Sequence, residues 1–283
     1  TIAMFNKNLD IKLITTTAGN VGLKTTTRNA MFLLEKFNKN IPVASGAEKP
    51  LFRNAKNAIN VHGKEGLGEY IPEDKRKFKK LRTPAVDAMY KVITENPHEI
   101  TILEIGPHTN VAQLFIKYPD SINLIKQIIF EGGSPYGKEN VKPHISFNIS
   151  FDPEAADIVM RSNIKKTMIP SEIGRYIVPF SKTQVEEIKN LNSTGEFFAT
   201  MFEGYLSPET QNVTETNDLS ALMYLLYPQI FKTYKCYISV NTTDAPGKTI
   251  ITENENGIIN FVEDVDKFAF FNMFIENLKN IKD

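Results

Sequence analysis

Five polar residues scattered along the chain carry side chains that could do chemistry together: Asn20, His62, Asn140, Asn148 and Asp218. The amides and the imidazole offer neutral donors and acceptors of the kind that read sugar hydroxyls. Asp218 adds a hard carboxylate oxygen suited to Ca²⁺. The set therefore predicts a polyhydroxylated ligand. Each residue also has a plainer reading. Asn20 could cap a helix beginning near Val21, Asp218 could cap Leu219 to Leu226, Asn148 could satisfy a turn, and His62 could be a loop residue. His98 and His108 have no functional pattern around them, and His144 falls in a loop as an expected surface residue.

Missing motifs narrow the chemistry further. The sequence holds no Gly-x-Ser-x-Gly elbow, no His-Glu-x-x-His and no phosphate-cradling Gly-x-x-x-x-Gly-Lys-Ser/Thr, since the run Gly132 to Lys138 is followed by Glu139, which removes serine hydrolase, zinc protease and simple nucleoside triphosphatase readings. Cys236 is the sole cysteine and lies in a strand-like run from Tyr234 to Val240, so it reads as a structural thiol.

Positioning such residues is the work of strands that end in polar loops. Ile11 to Ile14 runs into Thr15-Thr16-Thr17-Ala18-Gly19-Asn20, Ile100 to Ile105 into Gly106-Pro107-His108-Thr109-Asn110, and Ile128 to Glu131 into Gly132-Gly133-Ser134-Pro135. Loops at the carboxyl ends of parallel strands are where open α/β sheets place ligands, so three junctions of this kind suggest one shared site. Between them the spacing predicts helices over Val21 to Phe37, Pro84 to Glu95 and from the third junction's predecessor through Tyr118, with a short strand at Ile41 to Ala44. Asp152-Pro153-Glu154 has the chemistry of a helix start. A strand at Lys166 to Ile169 and helices at Ser181 to Leu191, Ser193 to Leu206 and Asp218 to Leu226 follow. Tyr237 to Val240, Thr249 to Thr252 and Ile258 to Val262 read as strands, and Asp264 to Ile281 as a closing helix. Phe197-Phe198 and the aromatics from Phe268 to Phe274 read as core. The fold class is therefore α/β: a mostly parallel sheet with helices on both faces and a small late strand-rich region, in a single domain over 1–283.

Lys plus Arg and Asp plus Glu both number 33, so no global field favours nucleic acid or an anionic membrane. The concentrated charge from Glu73 to Arg82 reads as a solvated loop or lid. No apolar run approaches the roughly 18 to 20 residues of a membrane helix, and no charged-then-apolar leader opens the sequence. A reducing, cytoplasmic setting and a small-molecule partner are expected.

Four ordered blocks carry a resemblance. They are Ile14 to Val21 with Thr27-Arg28-Asn29-Ala30; Val61-His62-Gly63 with Gly66-Leu67-Gly68; Gly106 to Asn110; and Phe147-Asn148-Ile149 with Asp152 to Ala156. Thr216-Asn217-Asp218-Leu219 adds a late motif. Together they resemble the inosine-uridine-preferring nucleoside hydrolases over nearly the whole chain. The resemblance implies hydrolysis of the N-glycosidic bond of ribonucleosides, a bound Ca²⁺ and a homo-oligomer. It further implies Asp218 and the carbonyl of Ile105 as metal ligands, Asn20, Asn140 and Asn148 on ribose hydroxyls with Phe147 supporting them, and His62 near the base.

The same comparison shows departures. The family's amino-terminal aspartate cluster, which supplies the general base, has no counterpart from Thr1 onward, and Asp10 sits at the wrong end of its strand to replace it. The cluster is expected upstream of Thr1, and the strand from Ile11 to Thr17 is expected to have an open neighbour position. Ser146 stands where a glutamate is usual, Glu131 where a methionine is common, and Asn217 where a histidine helps the purine leave. Asparagine cannot protonate a leaving group near neutral pH. Two readings stay open: a ribonucleoside hydrolase, or a catalytically impaired nucleoside-binding or structural homologue.

Overall fold

The structure, a computed structural model, describes residues 1–68, 70–72, 79–137, 144–203 and 213–281. Asn140 and most of the charged run after Pro72 lie outside these residues. In chain order the elements that matter are α1 (Ile2–Phe5), β1 (Ile14–Thr16), α2 (Leu23–Lys36), β2 (Val43–Ser45), α3 (Ile59–His62), α4 (Ala85–Glu95), β3 (Thr101–Glu104), α5 (Thr109–Lys117), β4 (Gln127–Glu131), α6 (Phe147–Phe151), α7 (Pro153–Arg161), β5 (Lys166–Ile169), α8 (Lys182–Lys189), α9 (Ser193–Glu203), α10 (Asn217–Leu226), β6 (Phe231–Val240), β7 (Thr249–Glu253), β8 (Ile259–Val265) and α11 (Lys267–Lys279).

Strands β3, β4, β5 and β8 run parallel, and β6 and β7 complete this six-stranded sheet by antiparallel pairing in the order β3-β4-β5-β8-β6-β7. Successive side chains of β4 point to opposite faces. Ile128 and Phe130 join the helices α4, α5 and α7 on one side, while Ile129 joins α8 to α11 on the other. Burial on both faces is what an apolar parallel strand requires. No helix among the described residues is long and apolar enough to cross a membrane.

Strands β1 and β2 form a separate parallel pair. Among the described residues, the second edge of β1 and the outer edge of β3 carry no ladder, so the sheet breaks between them. Asn110 bridges the break. Its Nδ2 donates to the Thr16 carbonyl at 3.1 Å, and its Oδ1 accepts from the Ala47 amide at 2.8 Å. Gly46 is obligatory at this bridge, because a Cβ there would lie 2.1 Å from Asn110 Oδ1.

Three boundaries differ from the sequence reading, each for a local reason. Strand β1 begins at Ile14, not Ile11: the Ile14 amide donates to the Pro42 carbonyl, and Pro42 has no N–H to extend the ladder backwards. Strand β6 begins at Phe231, six residues before the expected start, because a register shift at Lys232/Thr233 interrupts the alternation. Asp264 belongs to β8 opposite Lys232, and α11 starts only after Asp266, which accepts from the Phe268 and Ala269 amides. Of the aromatics expected in the core, Phe197, Phe198, Phe270 and Phe274 are buried, but Phe268 is exposed.

Candidate active site

The site is built where β4 ends. Gly132 and Gly133 follow it with φ of 138° and 84°, a conformation that disfavours side chains, and a Cβ on Gly133 would lie 1.8 Å from Met168 Cε. Ser146, buried, accepts from the Gly133 amide at 2.6 Å and so ties this turn to the start of α6. Asn148 stands in the first turn of α6, with Gly132 packed against its Cβ.

Glu131 is the hub. Asn148 Nδ2 donates to Glu131 Oε2 at 2.6 Å and to the Glu131 carbonyl at 3.3 Å, while Ser171 Oγ donates to Oε1 at 2.8 Å. Burial, reinforced by the negative charge of Asp218, pushes the Glu131 carboxyl up to about 8 despite the two bonds that favour its ionised form. Asp218 lies in the first turn of α10, which packs on β4 and β3. It is solvent-exposed yet surrounded by protein, and the loss of surrounding water raises its carboxyl to about 7. No described residue donates a hydrogen bond to it, so its oxygens are open to a ligand. Helix α10 starts at Asn217 with Thr216 before it, so Asp218 does not cap it.

Around this centre the other candidates take different places. Ile105, at the end of β3, is exposed, and Phe147 is half-buried beside Phe151 with ring centroids 6.0 Å apart. Asn217 turns away from a ligand role: Nδ2 donates to Glu215 Oε2 at 2.9 Å, and Oδ1 packs against Gly174, buried without a hydrogen-bond partner among the described residues. Asn20 and His62 lie on the β1 rim. Gly19 packs on Pro107 of the β3 loop, which brings that rim to the neighbouring junction. The Asn20 carbonyl accepts from the Ala58 amide, and Gly22 precedes α2 without any side-chain cap, so Asn20 is not its capping residue. His62 ends α3, and burial keeps its ring below the usual imidazole range.

Sequence reasoning passed over Glu131, Asn110 and Asp152 as site-builders. Asp152 is wholly buried and accepts from the Ala155 amide at 3.2 Å, the Leu51 amide at 2.9 Å and Thr109 Oγ1 at 2.8 Å. It is therefore a cap for α7 and a tie between three segments. His108, set aside for lack of context, is buried with Nδ1 2.6 Å from Glu104 Oε2. His144 is half-buried, its Nδ1 2.9 Å from the Pro135 carbonyl.

The model of one family, described as inosine-uridine preferring nucleoside hydrolase, matches residues 1–272. The chain belongs to that family. It is 36% identical over 240 residues to the non-specific ribonucleoside hydrolase RihC of Salmonella typhimurium, covering 85% of this chain and 78% of the relative. A plant nucleoside hydrolase superposes with a TM-score of 0.92 at 26% identity, covering 98% of this chain and 93% of that one. A purine-preferring ribonucleoside hydrolase from Gardnerella vaginalis shares the fold at 24% identity and a TM-score of 0.91, covering 99% and 93%. Nucleoside hydrolases are often metal-dependent, and a Ca²⁺ ion takes about six to eight oxygen ligands. Among the described residues no three or more His, Cys, Asp or Glu side chains gather as a metal site. Asp218 and the Ile105 carbonyl do not make a complete shell, so the described residues do not by themselves fit the ion.

Proposed function

We propose that this protein is a ribonucleoside N-glycosidase that releases a free base and ribose. The observation that carries the reading is the gathering of Asn148, Glu131 and Asp218 at the end of β4 and the start of α10, with acceptor oxygens left open for a ligand. Ribose presents hydroxyl donors, and Asn148 Oδ1 and the Asp218 carboxylate are their natural acceptors. Asn20 and Phe147 extend the sugar-binding surface, and His62 borders the base; Asn140, outside the described residues, keeps the ribose role the resemblance implies.

Breaking the glycosidic bond leaves positive charge on the ribose. A carboxylate held in a partly dehydrated setting stabilises that charge more than it would in open water. Asn217 cannot protonate the departing base, and its amide is already engaged with Glu215. Base departure therefore rests on stabilising the ribosyl cation: the base leaves with the C–N electron pair, water adds its oxygen to the ribosyl carbon, and the proton that water gives up reaches the base by way of solvent.

The test is reducing-sugar release from inosine, uridine and cytidine, in Ca²⁺ and in chelator. Turnover that needs Asp218 is expected. No release from any of the three, together with ligand-dependent thermal stabilisation, would instead favour the nucleoside-binding reading.

A further inference from the structure

An asparagine amide can present either its oxygen or its nitrogen to a ligand, and the two differ by a half-turn that costs nothing without neighbours. At Asn148 the neighbours decide. Two acceptors from one residue, Glu131 Oε2 at 2.6 Å and the Glu131 carbonyl at 3.3 Å, both face Asn148 Nδ2. The Glu131 side chain cannot turn aside, because it is 5% exposed and its other oxygen is held by Ser171 Oγ at 2.8 Å. A backbone carbonyl can only accept. A flipped amide would lose the short bond to Glu131 Oε2 and set Asn148 Oδ1 against that carbonyl, oxygen to oxygen.

We propose that Glu131 is a positioning residue that locks the Asn148 amide with its oxygen toward the ligand, so that this position selects a hydroxyl that donates. Oδ1 accepts no hydrogen bond from the described residues and is not a buried, unsatisfied atom, so it is available to that hydroxyl. The inference rests on the reading of the site as a ribonucleoside site. It adds that sugar recognition depends on a carboxyl group that itself makes no contact with the sugar.

Kinetics and side-chain amide exchange on the same samples test it. Glu131→Met keeps the length and removes the side-chain acceptor. It should raise KM for a ribonucleoside about tenfold, the loss of roughly one good hydrogen bond, with a smaller effect on kcat. Asn148→Ala should do the same, and the double variant should be no worse than Asn148→Ala alone. Glu131→Gln should recover most of the loss, since its Oε1 still accepts from Nδ2 and its Nε2 can donate to Ser171 Oγ. Ser171→Ala, which frees one carboxyl oxygen, should fall between. By proton NMR the Asn148 amide should exchange slowly in the wild type and in Glu131→Gln, and quickly in Glu131→Met. Equal exchange in all three, an unchanged KM in Glu131→Met, or additive losses in the double variant would overturn the lock. A wild type that neither binds nor cleaves ribonucleosides would overturn the ribonucleoside reading instead, and the exchange rates would then judge the lock alone.

Discussion

Glu131 and Asp218 confront each other as two carboxyl groups in a setting that disfavours charge on both. Glu131 holds its proton up to about 8, far above its ordinary value of 4.5, because burial and the neighbouring Asp218 oppose ionisation. Across the interval from about pH 4.5 to 8 the folded chain keeps a proton that the unfolded chain has lost, so folding stability falls as pH rises through it and is unpenalised below it. The Tm of the metal-free protein should therefore drop between about pH 5 and pH 8. Glu131→Gln, which cannot ionise, should flatten much of that slope and be the more stable form at the upper end. Parallel slopes for the two proteins would contradict the burial assigned to Glu131. At this scale the sequence was only partly readable. Asn148 and Asp218 stand out through ordered blocks. Glu131 could be recognised only as an unusual residue after an apolar run, because nothing in the chain order says that an amide 17 positions later folds back onto it.

Elements hold these side chains in place through a few buried polar ties. Asp152 satisfies three donors from three segments, and it carries α7, the helix that continues from α6 and Asn148. Its replacement by Ala removes a helix cap and strands the buried Thr109 hydroxyl and the part-buried Leu51 amide, a loss of about 2–4 kcal/mol. Chemical denaturation should show that loss, and ribonucleoside binding should weaken with it. Gly174 is a second such point. A Cβ there would lie 2.4 Å from the Asn217 amide nitrogen and 2.6 Å from its Cα, so Gly174→Ala must displace the start of α10. Ligand affinity should fall through movement of Asp218, and an unchanged affinity would show that the start of α10 is not where the ligand sits. The helix start at Asp152-Pro153 and the exact span of β5 were legible because local chemistry dictates them. The early half of β6 was not, since a bulge breaks the alternation on which a strand reading depends.

For the molecule as a whole, the parallel strands β3 and β4 deliver two polar loops to one edge, and the packing of Gly19 on Pro107 brings the loop after β1 beside them. The alternation of strands and helices made the layered α/β class readable in advance. The open position beside β1 was an expectation of the sequence, but that the Asn110 amide spans it was not readable from either segment's pattern. The rim carrying Asn20 and His62 depends on that bridge, so Asn110→Ala should loosen the rim and raise KM while leaving the Asn148 side of the site intact. The most direct test of the central claim, that one edge of this sheet binds and cleaves ribonucleosides, is to measure free base and free ribose together for the wild type and Asp218→Asn. Equimolar base and ribose from the wild type and at least a hundredfold loss, roughly 2.7 kcal/mol, in the variant are expected. Equal turnover by the two proteins would contradict that claim.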